Sequence, residues 1–209
     1  MTAMETTQRD LLIVVDVQND FCPGGALTVP EGDAVIPVVH RIAPRFQHIV
    51  LTQDWHPQRH ISFASSHPGW KAGDVIQTSE QHLWPDHCVQ GTRGAELHPA
   101  LRLPQAELIL RKGFRVEMDS YSAFFENDHA TPTGLAGWCR ERGFERAFFA
   151  GLAYDFCVGF SALDARRCGF AATVIRDACR AIDVGGSVAA MDAAFARDGV
   201  SILSSADIG

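Results

Sequence analysis

The sequence predicts an α/β fold, a six-stranded parallel sheet flanked by helices on both faces. Three observations carry this. Apolar runs alternate with amphipathic stretches along the whole chain. The runs are continuous rather than alternating with polar residues, as in strands covered on both sides. Strand–helix alternation then needs crossover connections, which place helices against both faces. At 209 residues the chain can fill one full-sized core and is too short for two, so one domain over 1–209 is expected.

The elements follow in order. Leu11-Leu12-Ile13-Val14-Val15 is the first strand. Residues 33–43 carry helical spacing through Ile36, Val39, Ile42 and Ala43, with Pro37 tolerated near the helix start. Ile49-Val50-Leu51-Thr52 is the second strand. Residues 54–104 are rich in Pro, Gly and His and show little periodicity; so long an irregular segment usually carries function. Leu108-Ile109-Leu110 is the third strand, 134–142 a helix closed by Gly143, and 146–150 the fourth strand. A helix over 155–167 ends at Gly169. Residues 172–175 form the fifth strand, 187–197 a helix closed by Gly199, and 200–203 the sixth strand.

Composition narrows the function classes. Hydrophobic content is 46% and charged content 21%, ordinary for a globular protein. A net charge of −7 without any basic run argues against nucleic acid or an anionic membrane as partner. The longest apolar run spans five residues, far short of a membrane span, and the polar first ten residues do not resemble a secretory signal. A cytoplasmic location is therefore expected. The six cysteines form no C-x-x-C pair, so neither a redox motif nor a zinc ribbon is indicated, and reduced thiols are expected. The sequence leaves the oligomeric state open.

Reactive side chains cluster at predicted strand ends. Asp16 follows the first strand, Asp54 the second, Lys112 the third and Cys157 the fourth. In open parallel sheets this carboxyl edge is where ligands bind. A single Asp there is often only a helix cap. An Asp, a Lys and a Cys together suggest a nucleophilic thiol, a general base and a cation. Cys157 also lies where a strand turns into a helix, so its thiol is expected to tend toward thiolate. The bland alternatives are a buried packing cysteine and a structural Asp–Lys pair. A second constellation, Asp54-Trp55-His56-Pro57-Gln58-Arg59-His60, has carboxylate and imidazole donors for a divalent metal, and Trp84-Pro85-Asp86-His87-Cys88 can add a distant ligand. The spacing matches no standard zinc motif. The other histidines read as surface or packing residues.

These motifs together resemble the nicotinamidases of the isochorismatase-like cysteine hydrolase superfamily. The resemblance rests on Asp16-Val17-Gln18-Asn19-Asp20-Phe21, Asp54-Trp55-His56-Pro57 with His60 and Phe63, and Trp84-Pro85-Asp86-His87-Cys88-Val89-Gln90-Gly91-Thr92. It continues through Lys112-Gly113 and Gly151-Leu152-Ala153-Tyr154-Asp155-Phe156-Cys157-Val158, covering about three quarters of the chain. It implies hydrolysis of nicotinamide to nicotinate and ammonia through a cysteine thioester, in NAD salvage, with pyrazinamide as a further substrate. It implies a catalytic triad of Asp16, Lys112 and Cys157. It implies one divalent metal on Asp54, His56 and His87, with zinc the first choice, iron or manganese the alternatives, and His60 a further candidate ligand. It implies a ring pocket of Phe21 and Trp84 with Tyr121 at its rim. It also implies a non-proline cis peptide at Leu152–Ala153 and an oxyanion hole from the N–H groups of Ala153 and Cys157. The rival expectation is a related cysteine amidohydrolase acting on a carbamoyl or ureido compound. A non-enzymatic metal-binding module of the same fold would not need the Asp, Lys and Cys.

Overall fold

In a computed structural model, which describes residues 4–77 and 81–209, the first apolar run forms strand β1 (Asp10–Val15), buried along its whole length. Its side chains alternate between two cores, as a pleated strand requires. Leu12 and Val14 pack toward helix α1 (Val35–Ile42), through Val35, Val39 and Ile42. Leu11, Ile13 and Val15 face the opposite core, built with Leu135 and Cys139 of α2 (Leu135–Glu141), Ala162 of α3 (Gly159–Arg167) and Phe195 of α4 (Ser187–Asp198). A strand apolar at every position thus serves two helical layers at once.

The other main-sheet strands are β2 (His48–Asp54), β5 (Leu108–Lys112), β6 (Arg146–Leu152), β7 (Ala171–Arg180) and β8 (Ser201–Leu203). All pair in parallel, in the order β5-β2-β1-β6-β7-β8. From β1 the chain fills the sheet outward through β2 to β5, then returns to the other side of β1 with β6. The strand order therefore reverses between β1 and β6, and the crevice over that switch is where parallel sheets bind ligands.

Three local features differ from the sequence expectation. The helix expected over 155–167 starts with a π turn at Tyr154–Val158 and becomes α-helical only at Gly159. Strand β7 runs on to Arg180, past a register shift in its pairing with β6. The long irregular segment contains a short antiparallel pair, β3 (Val75–Ile76) and β4 (Gln81–His82), too brief and polar for periodicity to reveal.

The end of β6 depends on a glycine. Gly151 has φ 115° and lies in register with Val15, and a Cβ there would overlap the Val15 carbonyl oxygen. Gly151→Ala should destabilise the fold by at least the roughly 1–3 kcal/mol of a forbidden backbone conformation. A urea-unfolding midpoint unchanged from wild type would contradict this close-approach account.

Candidate active site

The sheet's carboxyl edge brings the reactive residues together. Asp16 is the first residue beyond β1, and its positive φ of 47° turns the chain out of the strand. Asp54 and Lys112 are the last residues of β2 and β5 and stand opposite each other in register. Cys157 rides the π turn after β6. Three neighbouring strands and one turn thus aim four side chains into one buried volume.

Lys112 is 0% exposed and sits at the centre. Its Nζ donates to Asp54 Oδ1 (2.5 Å), the Ser120 carbonyl (2.8 Å) and Cys157 Sγ (3.3 Å), which uses all three of its N–H groups. Asp16 Oδ2 lies 2.9 Å from the same Nζ and completes an ion pair. Asp16 Oδ1 accepts from the Thr52 hydroxyl (2.5 Å), and that hydroxyl accepts the Asp16 N–H (3.1 Å). Ligating atoms of Asp16, Asp54 and Cys157 all lie within 4.8 Å of one another. Asp54, which the sequence puts in both constellations, joins them here through Lys112.

Burial and charge set the protonation states. Burial works against the Lys112 ammonium, but Asp16, Asp54 and Cys157 outweigh it and keep the amine protonated well above its usual range. Burial also works against the Asp54 carboxylate, which Lys112, His56 and His87 nonetheless hold far below the usual carboxylate range. At Asp16 burial prevails over Lys112 and Thr52, and its carboxyl is pushed up. At Cys157 burial, with the charges of Asp54 and Asp16, pushes the thiol well above its usual range despite Lys112. Burial here opposes the thiolate that the helix terminus and Lys112 favour. A helix terminus contributes about 0.3–1 kcal/mol, whereas full burial can shift an acid by about 3–5 pH units.

The imidazoles are oriented by the backbone. His56 Nδ1 faces the Gly113 carbonyl at 2.8 Å and His87 Nδ1 the Pro85 carbonyl at 2.8 Å. In the neutral form of either ring this commits Nδ1–H to the carbonyl and leaves Nε2 as the acceptor, the arrangement a metal-binding histidine needs. Without a cation, burial works against the charged His56 ring, but the Asp54 carboxylate prevails and pushes it up. Both Nε2 atoms converge on Asp54 Oδ2, at 3.5 and 4.0 Å. Ligand atoms of Asp54, His56 and His87 lie within 4.8 Å of one another, so this donor set fits a divalent cation. Burial and the neighbouring His56 push His87 down to about 4, so it stays neutral at neutral pH. Gly113 is required beside His56: with φ 63°, a Cβ there would lie 2.5 Å from the ring. His60 stacks on His56 at 4.1 Å, but its ring nitrogens are occupied by the Ser62 hydroxyl (2.7 Å) and the Met118 carbonyl (3.1 Å).

Between the thiol and the imidazoles lies a narrow cavity. Phe21, Trp84, Tyr121 and Ala153 line it together with Cys157, Asp54, His56 and His87. Trp84 Nε1–H donates to the Tyr121 hydroxyl (3.2 Å), which fixes both rings. Four lining residues escaped the sequence reading: Leu27, Asp119, Phe156 and Ile182. Only Phe156 carried a signal, its place beside Cys157. The Leu152–Ala153 peptide is cis. The Ala153 carbonyl accepts the N–H groups of Phe156 and Val158, both at 3.1 Å, and skips that of Cys157 between them. The Ala153 carbonyl is thus bonded on either side of Cys157 without using its N–H, and π turns are frequent at functional sites.

Comparison with known proteins matches this arrangement. Residues 10–207 match the isochorismatase domain. A nicotinamidase of Acinetobacter baylyi is 51% identical over 207 residues, covering 98% of this chain and 97% of that protein. The solved nicotinamidase/pyrazinamidase of Acinetobacter baumanii superposes with a TM-score of 0.94 at 49% identity, over 96% of this chain and 98% of its own. A Leishmania homologue (L. infantum PnC1), solved in complex with nicotinate, superposes with a TM-score of 0.86 at 39% identity, over 100% of this chain and 98% of its own. The chain belongs to the isochorismatase-domain family, among its nicotinamidases.

Proposed function

We propose that the protein hydrolyses nicotinamide to nicotinate and ammonia, with Cys157 as nucleophile, and turns over pyrazinamide by the same chemistry. One observation carries this reading. A buried Asp–Lys–Cys cluster and a buried Asp–His–His donor set flank the same aromatic-walled cavity, so a flat ring with one polar atom on its edge can place its carboxamide at the thiol. The nicotinate bound by the Leishmania homologue supports a small pyridine ligand.

The sequence of steps follows from the protonation states. Cys157 starts as a thiol. Asp16, whose carboxylate lies beside the sulfur, receives the thiol proton as sulfur bonds to the amide carbon. The amide oxygen becomes an oxyanion and is met by the N–H groups of Ala153 and Cys157. As the C–N bond breaks, Asp16 returns the proton to nitrogen and ammonia leaves. Water then gives a proton to Asp16 and its oxygen attacks the thioester. The departing sulfur recovers that proton, and nicotinic acid ionises to nicotinate. Throughout, Lys112 stays charged and compensates Asp16 in its carboxylate form.

Asp54, His56 and His87 are assigned to one divalent metal, with zinc first for a mixed imidazole–carboxylate set. When bound, that cation supplies a Lewis-acid contact for the pyridine nitrogen, which fixes which way round the ring enters. We leave His60 outside the ligand set because both its nitrogens are engaged. Among the described residues no helix is long and apolar enough to cross a membrane, and six free cysteines suit a reducing compartment such as the cytoplasm.

The test is ammonia release from a substrate panel by metal-replete protein. Nicotinamide and pyrazinamide should be hydrolysed, and carbamoyl or ureido amides should not. Release from the latter alone would replace the proposed substrate. His87→Ala should lower bound metal, measured by elemental analysis, and raise KM for nicotinamide; unchanged metal content would refute its ligand role.

A further inference from the structure

The mechanism does not use Asp155, although this carboxylate lies two residues before the nucleophile on the same π turn and is only 2% exposed. Its partners all lie in one place. Oδ1 accepts the N–H of Ile182 (3.1 Å); Oδ2 accepts the N–H of Asp183 (2.8 Å) and the hydroxyl of Ser187 (2.5 Å). Three donors on one buried carboxylate make a charge-assisted clasp stronger than neutral hydrogen bonds of the same number.

What it clasps is the connection from β7 to α4. Residues 181–186 belong to neither element, and Asp183, Gly185 and Gly186 all have positive φ (57°, 61° and 82°). No strand ladder or helix fixes this backbone. Yet Ile182 within it packs against the core on the α1 side and lines the ring cavity. One π turn therefore carries the nucleophile (Cys157), one wall of the cavity (Phe156), and the group that fastens a second wall (Asp155).

We infer that Asp155 is a positioning residue that sets the Ile182 wall relative to Cys157, and so limits the size of the ring the site accepts. This rests on the pyridine-amide reading above. The chemistry itself does not pass through Asp155, so its loss acts on fit more than on bond breaking.

The experiment compares Asp155→Asn, Ser187→Ala, Ile182→Ala and the Asp155→Asn/Ile182→Ala double variant. Steady-state kinetics are run on nicotinamide and on a ring-methylated nicotinamide. Asp155→Asn should raise KM for nicotinamide about tenfold, hold kcat within about threefold, and shift kcat/KM toward the methylated ring, as loss of a close-fitting apolar wall does. Ser187→Ala should move the same ratio in the same direction by less, and it carries the test if Asp155→Asn does not fold. The double variant should be no worse than Ile182→Ala alone, because both changes act through one wall. A fall in kcat with KM and ring preference unchanged would overturn the inference, as would effects that multiply in the double variant.

A second readout needs no substrate: the rate of Cys157 alkylation by N-phenylmaleimide relative to iodoacetamide, followed by mass spectrometry. Asp155→Asn should raise that ratio, and an unchanged ratio would overturn the inference. If wild type releases no ammonia from nicotinamide, the proposed substrate fails while this ratio still decides the role of Asp155.

Discussion

Cys157→Ala should lower nicotinamide turnover by at least about four orders of magnitude, the scale seen when a nucleophile is removed from a coupled triad. Its metal content should match wild type, because the sulfur is not among the assigned ligands. Asp16→Asn should approach the same loss, and the double variant should be little worse than either single one. Residues that act as a unit give such non-additive losses. Ammonia assays on the four proteins check this. Substantial activity in Cys157→Ala would exclude the covalent route. Losses that multiply in the double variant would separate Asp16 from the thiol.

The second large effect is expected at Lys112, and it reaches beyond catalysis. Its ammonium neutralises two carboxylates in a volume closed to solvent, with Asp16 Oδ2 at 2.9 Å and Asp54 Oδ1 at 2.5 Å. Lys112→Met keeps much of the side-chain volume but leaves two buried acids without their cation. Breaking one buried ion pair from one side costs about 3–5 kcal/mol, much of it the penalty of the charge left behind. Lys112→Met should therefore be inactive and also markedly destabilised in urea unfolding, whereas Cys157→Ala should lose activity with little loss of stability. A Lys112→Met protein as stable as wild type would mean that the two carboxylates do not depend on this amine.

Much of this architecture is legible in the chain because strand ends are easy to locate. Five apolar residues before Asp16, and short apolar runs before Asp54 and Lys112, place these side chains on one sheet edge. The order of strands is not legible in the same way, since it depends on which edge each crossover takes. That order is what sets Asp54 beside Lys112 in register. The sequence therefore shows Asp54 as common to both constellations, but not its contact with Lys112. The helix terminus beside Cys157 is visible locally in the sequence, whereas the burial that pushes its thiol up comes only with the fold. Ile182 and Leu27 carried no signal at all. They are ordinary apolar residues in loops, and only the folded chain brings them to the cavity wall. The π turn at Tyr154–Val158 was likewise unreadable, because its apolar pattern also suits an α-helix.

The central claim is acyl transfer from nicotinamide through Cys157, and hydroxylamine tests it most directly. During turnover by wild type, a thioester should partition between water and hydroxylamine. Nicotinohydroxamate should then appear in rising proportion to nicotinate as hydroxylamine increases, and neither product should form with Cys157→Ala. Nicotinate alone at every hydroxylamine concentration, or hydroxamate formed equally by Cys157→Ala, would contradict the account.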